Sequence, residues 1–533
     1  MELEESAAGN PGMTFSGCSG MLLIYGPSAK PSEPPPGLAL LAGTLRRHGV
    51  RCSIWDANID AVTTEIHRDR GSQNDTWTLR GRRHRESHLA LLRNWSGYSN
   101  LDRYRRAVLD LNRLLEINSR TGSLFAGLAN LSGNELLPVR SDHLLAASEN
   151  PERIPFHDLL GKRLVERVER LKPSIVGFSL CFMSQALCTF AMIGMVRRRF
   201  PWIRIVLGGG LVTSWKRGPG WRNPFEGLVD DLVDGPGESF LLELLDCHPG
   251  TIPPVVADYG DMPWDRYLSP GRILPYAASS GCYWNRCAFC PERAEGNPYH
   301  PIGTERALHE LRHHVEQVQP TLIHLLDNAI SPSLLAALCR NPLQVPWYGF
   351  VRVTKELGEP DYCRALKRSG CVMLKLGIES GSQRVLDNEG KGIEVETAER
   401  ALRCLKQAGI STYIYLLFGT VSETEADARK TLDFAVRSSP FIDHLNLALF
   451  NLPLSSGLSG ELRTHHHYEG DLSLYAGFRH PRGWDRAVVR RFMDREFKRH
   501  PAITEILKQE PPIFTSNHAP LFSSGMKLFT RRG

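Results

Sequence analysis

The sequence has no long apolar run and no basic segment at its N-terminus. Its longest apolar run, residues 187–196, is about half as long as a membrane-spanning helix requires and ends at Arg197–Arg199. The first residues, MELEES, are acidic, whereas a signal peptide begins with a basic region. We therefore expect a cytoplasmic protein without a membrane partner.

Strong charge bias, internal repeats and low-complexity segments are also missing. The 64 Lys and Arg residues exceed the 58 Asp and Glu residues by 6 in a chain of 533, an excess too dilute to indicate nucleic-acid binding. The densest basic stretch, residues 80–85, fits a solvated loop better than a phosphate-binding groove. With 42% hydrophobic residues the chain can bury a large core, and its length suggests about two to four domains.

Apolar runs and helical patterns alternate in two separate series. The first series predicts strands at residues 21–27, 51–55, 174–180 and 203–210, and a polar, arginine-rich helical insertion at about residues 60–155 interrupts it. The second series contains six apolar runs, at residues 272–277, 321–327, 345–352, 372–380, 410–419 and 441–450. This pattern predicts an α/β protein with a Rossmann-like unit at residues 20–247, followed at 268–455 by a parallel barrel or an open doubly wound sheet. Residues 456–533 form a polar C-terminal extension.

Three of the twelve cysteines share one loop. Cys282, Cys287 and Cys290 directly follow the first strand of the second series, and thiolates crowded on a loop are typically metal ligands. A structural zinc site needs a fourth ligand, for which His300 is the nearest candidate, whereas three cysteines can hold an iron–sulfur cluster with one iron left open. No second cysteine pair at zinc-finger spacing follows, which favours the cluster.

The cysteine loop resembles the signature of the radical S-adenosylmethionine (SAM) enzymes. That signature is usually C-x3-C-x2-C after the first barrel strand, with an aromatic residue just before the last cysteine. Here the spacing is C-x4-C-x2-C, and Phe289 occupies the aromatic position. The resemblance implies a partial (β/α)6 TIM-type barrel, a [4Fe–4S] cluster held by the three cysteines, and an electron donor such as flavodoxin or ferredoxin.

Two later segments are similar to SAM-binding motifs of the same family. Residues 377–383 resemble the fourth-strand motif, which implies that Glu379 and Ser380 contact the methionyl and ribose groups of SAM. Residues 417–424 resemble the fifth-strand segment that flanks SAM, which implies a role for Gly419. Arg352 ends another strand of this series, where a structural ion pair and a functional role remain equally open.

The first series resembles the cobalamin-binding domain of the cobalamin-dependent branch of this family. The motif D-x-H-x-x-G is absent, because Asp56 has no histidine at the required offset. Its later parts have counterparts in Ser179 and, after 27 intervening residues that follow Leu180, in Gly208 and Gly209. The resemblance implies that Ser179, Gly208 and Gly209 contact cobalamin and that cobalt has no histidine ligand from the protein.

Together these features predict an enzyme, a cobalamin-dependent radical SAM methyltransferase acting on a carbon of a metabolite or peptide. The insertion and the C-terminal extension would then shape substrate access, and no catalytic side chain is assigned. A radical rearrangement, cyclisation or oxidation without methyl transfer remains an alternative. So does a non-catalytic metal protein that binds a peptide or nucleic acid. The methylthiolating branch is disfavoured because the N-terminal half has no second cysteine trio.

Overall fold

The computed structural model describes residues 20–69, 73, 75–247, 256–466 and 469–526. The predicted insertion and C-terminal extension each include residues outside this set, namely 70–72 and 74 in the former and 467, 468 and 527–533 in the latter. In the described part of the chain, no helix combines the length and apolar character that crossing a membrane requires.

The first sheet has five parallel strands. They are Met21–Tyr25 (β1), Cys52–Asp56 (β2), Ile175–Ser179 (β3), Arg204–Gly208 (β4) and Asp231–Leu232 (β5). Their order is β2-β1-β3-β4-β5, so the direction of winding reverses between β1 and β3. Ligands of open α/β sheets bind at the carboxyl ends of the strands beside such a reversal.

Nine helices accompany this sheet in the described residues, and most of the stretch between β2 and β3 is helical. They are Pro36–Arg47, Ala57–His67, Thr76–Leu92, Leu101–Asn118, Ser141–Glu149, His157–Leu171, Ala186–Arg199, Gly210–Lys216 and Glu238–Leu244. The predicted helical insertion is confirmed, with one addition. Phe125–Ala126 and Leu131–Ser132 pair as a short antiparallel hairpin that the sequence pattern did not indicate.

The prediction of a loop at residues 80–85 was wrong. This stretch lies inside the helix Thr76–Leu92, where the Arg80 guanidinium pairs with the fully buried carboxylate of Asp110 on the helix Leu101–Asn118. The ion pair joins two helices that are polar in composition. The dense arginines therefore belong to a helix that packs on its neighbour through an ion pair. The sequence pattern alone did not identify Asp110 as the partner.

The second sheet has six parallel strands. They are Ile273–Tyr276 (β6), Leu322–Leu325 (β7), Trp347–Val351 (β8), Cys371–Glu379 (β9), Ser411–Phe418 (β10) and His444–Leu449 (β11). Their order follows the chain from β6 to β11, which confirms the predicted α/β class and partial six-stranded barrel. The helices beside them are Pro291–Ala294, Thr304–Val318, Pro332–Arg340, Pro360–Arg368, Gln383–Asn388, Val395–Gln407 and Glu425–Ser438.

The C-terminal extension folds over the barrel and returns to the N-terminal half. It contains a three-stranded antiparallel sheet of Leu452–Pro453, Thr464–His466 and Tyr475–Phe478, the α-helices Arg486–Phe492 and Pro501–Leu507, and a π-helical turn, Met493–Phe497, between these helices. Farther on, the buried His518 hydrogen-bonds the Tyr104 hydroxyl of the insertion at 2.7 Å. Residues of both sheets also share buried clusters, for example Leu22 with Tyr348. The two halves therefore pack through a continuous core.

Candidate active site

The three cysteines lie on the loop between β6 and the helix Pro291–Ala294. All three are free and half-buried. Asn285 has a left-handed backbone (φ 44°), a conformation that Asn adopts more readily than most residues. The residue that lengthens the first cysteine gap is thus accommodated in a tight turn between Cys282 and Cys287.

Trp284 anchors this turn to the segment after β9. Its indole Nε1 donates a hydrogen bond to the Gly390 carbonyl at 2.9 Å, and the guanidinium carbon of Arg352 lies 3.9 Å from the ring centroid. Gly392 has φ 65°, and a Cβ there would lie 2.2 Å from the indole. The glycine is therefore required for the close approach of the cysteine loop.

Two cations lie near the thiols. Burial raises the pKa of the Cys287 thiol, while Lys391 and Arg352 act to lower it. Arg352 is itself buried and donates a hydrogen bond to the Lys391 carbonyl. Arg352, left open by the sequence, thus belongs to the cysteine loop rather than to a separate structural ion pair.

The donor set fits an iron–sulfur cluster better than zinc. Three thiols share one loop with cations that offset the charge of thiolates, and soft thiolate ligands suit iron–sulfur clusters. His300 is exposed in the short strand His300–Pro301. As the described side chains stand, no three His, Cys, Asp or Glu residues are gathered into a metal-binding arrangement, the three loop cysteines included.

Glu379 and Ser380 lie at the carboxyl end of β9, on the same edge as the cysteine loop. Glu379 has φ 70°, and the pairing of β9 with β10 shifts register there. Its carboxylate accepts a hydrogen bond from the buried Lys391 ammonium at 2.9 Å. The Ser380 hydroxyl is buried and bonds Thr431 at 3.1 Å. The Ser380 side chain therefore stabilises the turn that follows β9. Of the two residues, Glu379 is the one that carries a charged group.

Gly419 follows β10 in a left-handed conformation, with φ 80°. Its N–H donates to the carboxylate of Glu423, which also accepts from the Trp484 indole at 2.8 Å. Glu423 is fully buried, and burial raises its pKa to about 7. Glu423 lies within the segment that the sequence indicated, but its structural role depends on Trp484, 61 residues away.

Ser179, Gly208 and Gly209 meet at a cavity of about 240 Å³ at the carboxyl edge of the first sheet. Gly209 has φ 110°, and a Cβ there would lie 2.5 Å from the Leu180 carbonyl oxygen, so only glycine fits. Gly210 also lines the cavity, but a Cβ there would meet no atom within 4 Å. The predicted residues are thus brought together around an open space at the reversal of strand order.

A second cavity of about 500 Å³ adjoins the first and shares Gly37, Ser179 and Cys181 with its lining. Leu326, which follows β7 of the barrel, lines this second cavity as well. The carboxyl edge of the first sheet therefore opens toward the barrel. Sequence reasoning missed this junction, since Gly37 and Leu326 belong to segments far apart in the chain.

Sequence reasoning also missed a polar chain inside the barrel, formed by Glu33, His324 and Lys375. His324 and Lys375 lie within the otherwise apolar strands β7 and β9 and are buried. The sequence does contain a signal for this chain of residues. A charged residue in the middle of a buried strand needs a buried partner.

Comparisons with known proteins find a family match within the second half of the chain. Residues 276–435 match the Radical SAM superfamily, which confirms the family predicted for this region. The chain is 28% identical over 192 residues to an uncharacterized methyltransferase of Pyrococcus horikoshii, covering 34% of this chain and 40% of that protein. It is 24% identical over 282 residues to the anaerobic magnesium-protoporphyrin IX monomethyl ester cyclase of Rubrivivax gelatinosus, covering 49% of each.

Among solved structures, the radical SAM methyltransferase TsrM of Kitasatospora setae aligns with a TM-score of 0.49 and 14% identity, covering 86% of this chain and 81% of that one. The alignments with the curated relatives named above span less than half of each relative's length.

Proposed function

We propose that this chain, whose residues 276–435 form a radical SAM domain, is a cobalamin-dependent radical SAM enzyme that methylates a carbon of a small molecule or peptide. The adjoining cavities carry this proposal, since they join the glycine-lined edge of the first sheet to the barrel. Methyl transfer needs a methyl donor and a radical generator that reach one substrate. The adjoining cavities bring a residue of the barrel, Leu326, to the glycine-lined edge of the first sheet.

We assign the roles of the parts as follows. Residues 20–247 bind cobalamin and residues 268–455 form the radical SAM barrel, while the insertion at 60–155 and the extension at 456–533 shape substrate access. The enzyme acts in the cytoplasm, where thiols remain reduced, and receives electrons from a donor such as flavodoxin or ferredoxin. Names of relatives that include methyltransferases support the reaction class.

The residues at the barrel edge have distinct tasks in this proposal. Cys282, Cys287 and Cys290 hold the [4Fe–4S] cluster, and the positive charge of the nearby Arg352 offsets negative charge at Cys287. Glu379, oriented by Lys391, accepts hydrogen bonds from SAM. When bound, the cluster and SAM supply the radical chemistry, and the protein excludes water and oxygen.

The first sheet supplies a surface that is shaped by small residues. Gly208, Gly209 and Gly210 keep side chains out of the cavity, so a flat macrocycle or its nucleotide tail can approach the backbone. Ser179 offers a hydroxyl on the same edge. When bound there, cobalamin supplies the methyl group.

Anaerobic reconstitution with iron, sulfide, SAM and methylcobalamin tests this function. We expect a brown protein that retains cobalamin and forms 5′-deoxyadenosine, and we expect each methylated product to accompany one S-adenosylhomocysteine and one 5′-deoxyadenosine. A protein that forms 5′-deoxyadenosine but cannot be loaded with cobalamin would instead be a non-methylating radical SAM enzyme. A colourless zinc protein would exclude both.

A further inference from the structure

One carboxylate lies in the wall of the glycine-lined cavity of the first sheet. Among the described residues that line this cavity of about 240 Å³, Glu238 is the only one that carries a charge. Most of the remaining wall is apolar, with side chains such as Leu23, Leu38 and Leu41. In small-molecule sites, a few polar groups in a mostly apolar wall usually orient the ligand. Glu238 is therefore the group of this cavity that can orient what binds there.

A tight turn after β5 places Glu238 at this cavity. Glu238 is the first residue of the helix Glu238–Leu244 and directly follows Gly235, Pro236 and Gly237. Gly235 has φ 70°, and its N–H donates a hydrogen bond to the Thr213 hydroxyl at 2.9 Å. Thr213 belongs to the helix Gly210–Lys216, which follows the glycines of β4. The hydrogen bond therefore ties the turn before Glu238 to the segment that carries those glycines.

The Glu238 carboxylate has no cationic partner in the part of the chain that the structure describes. No described Lys, Arg or His nitrogen lies within 4.0 Å of it, and none of these residue types lines the cavity. Burial raises the pKa of Glu238, and the one group that acts to lower it is its own backbone N–H. By contrast, the buried Asp110 pairs with Arg80, and Glu379 pairs with Lys391. Glu238 thus keeps acceptor capacity for a ligand.

We propose that Glu238 accepts hydrogen bonds from the ribose hydroxyls of the cobalamin nucleotide tail, whose aromatic base fills the apolar part of the cavity. A half-buried carboxylate without a partner is costly, and hydroxyl donors from a ligand reduce that cost. In nucleotide-binding α/β sheets, an acidic residue commonly accepts a hydrogen bond from a ribose hydroxyl. This inference rests on the proposed function, since it concerns the same cofactor site.

The size and charge of the cavity favour the nucleotide tail over the rest of cobalamin. A volume of about 240 Å³ is below the roughly 300–1,000 Å³ of sites for drug-sized molecules, and cobalamin is larger than such molecules. The cavity can therefore hold only one part of the cofactor. The phosphate of the tail is an anion that the Glu238 carboxylate repels, so the ribose hydroxyls are the groups of the tail that suit this position.

Equilibrium dialysis of cobalamin and of cobinamide against the reconstituted full chain tests this inference without turnover. Cobinamide has the same macrocycle but lacks the nucleotide tail. We expect the wild-type protein to bind cobalamin at least tenfold more tightly than cobinamide. Glu238→Ala should lower the affinity for cobalamin about tenfold, as expected for a lost hydrogen bond to a charged group, and should change the affinity for cobinamide less than twofold. Glu238→Gln, which keeps an acceptor oxygen without the charge, should lose less. Glu243→Ala, at an exposed position of the same helix, serves as the control and should bind both ligands as the wild type does.

Three outcomes of the dialysis overturn the inference: equal binding of the two ligands by the wild type, wild-type cobalamin affinity in Glu238→Ala, or an equal loss of both ligands in that variant. The last outcome would assign Glu238 to the macrocycle. Urea unfolding of the apo protein separates a purely structural role. We expect apo Glu238→Ala to be at least as stable as the wild type, because the substitution removes a half-buried carboxylate without a partner. Lower apo stability with an unchanged ratio of the two affinities would show that Glu238 only supports its helix, and would also overturn the inference.

The proposed function is judged separately, by cobalamin retention and 5′-deoxyadenosine formation in the wild-type protein. A wild type that passes both tests, together with a Glu238→Ala variant that binds cobalamin equally well, contradicts the inference alone. A wild type that binds neither cobalamin nor cobinamide contradicts the proposed function, and the inference fails with it.

Discussion

The two carboxyl edges of this molecule are built in opposite ways. At the barrel edge, charged side chains are held by specific partners, as Glu379 is by Lys391 and Glu423 is by the Trp484 indole. At the edge of the first sheet, Gly208, Gly209 and Gly210 leave a space without side chains. The barrel edge is formed by side chains that contact specific partners. The edge of the first sheet is formed by glycines, which place no side chain in the cavity. We therefore expect the barrel edge to lose function when side-chain groups are removed. We expect the edge of the first sheet to lose function when side-chain groups are added.

The largest effect of removing a group is expected at the cysteine loop. Replacing Cys282, Cys287 or Cys290 singly by Ala removes one of three thiol ligands and should abolish the visible absorbance of the cluster and SAM cleavage, measured as 5′-deoxyadenosine. Cys339→Ala, on the helix Pro332–Arg340, should retain iron at the wild-type level. Full iron content in any of the three loop variants would contradict the ligand assignment.

The largest effect of adding a group is expected at Gly210. Because a Cβ there meets only open space in the cavity, Gly210→Phe should fold and should lower cobalamin affinity by roughly tenfold or more, since overpacking costs about 1–3 kcal/mol. Cobalamin retained after gel filtration measures this, and iron content should not change. Gly303→Phe places the same side chain where a Cβ also meets no atom, and it should retain cobalamin.

Gly209 provides a contrast at the neighbouring position. Even Gly209→Ala should destabilise the fold by about 2 kcal/mol, because the positive φ and the Leu180 carbonyl both exclude a Cβ. Urea unfolding of the apo protein measures this effect without cobalamin. Equal stability of the Gly209→Ala and Gly210→Ala variants would contradict the difference between the two glycines.

Glu423 gives a pH-dependent effect at the barrel edge. Its folded-state pKa of about 7 lies above the ordinary value of 4.5, so the folded protein binds the proton more tightly than the unfolded chain. Its contribution to stability therefore falls as the pH rises from about 4.5 to 7. Glu423→Gln should remove this fall and should gain roughly 1–3 kcal/mol relative to wild type between pH 5 and pH 8.

Urea unfolding at several pH values measures the difference between this variant and the wild type. Glu305→Gln, at an exposed position, should have the same pH dependence as the wild type. A Glu423→Gln profile parallel to that of the wild type would show that the carboxyl is not buried as described.

The smallest effect is expected at Trp284. Trp284→Phe keeps an aromatic ring beside Arg352 but loses the hydrogen bond to the Gly390 carbonyl, and a typical hydrogen bond contributes about 1 kcal/mol. We expect a loss of this size in the unfolding free energy of the apo protein. A loss above about 3 kcal/mol would mean that the indole supports more of the loop than this one bond.

Local sequence patterns predicted the strands, the helices and the cysteine loop. Contacts between residues far apart in the chain determine how these elements are arranged around the candidate site. Apolar periodicity located both series of strands, and spacing within nine residues located the cysteine loop. The Glu33–His324 bond joins residues 291 positions apart, so no local pattern could indicate it. Lys375 in an apolar strand did indicate a buried partner, but the sequence did not indicate which residue that partner is. The site assignments at Ser179, Gly208, Glu379 and the cysteines remain predictions that the variants above can test.

The contacts of Lys30, which lines the second cavity, have a consequence for the order in which this protein is made. Thr515, which holds the Lys30 ammonium, is 485 residues farther along the chain. At a ribosomal rate of about 5–20 residues per second, roughly 25–100 s separate the synthesis of these two residues. Until then the emerging chain lacks one wall of the second cavity. The C-terminal extension therefore supplies the last part of the cavity lining to be synthesised.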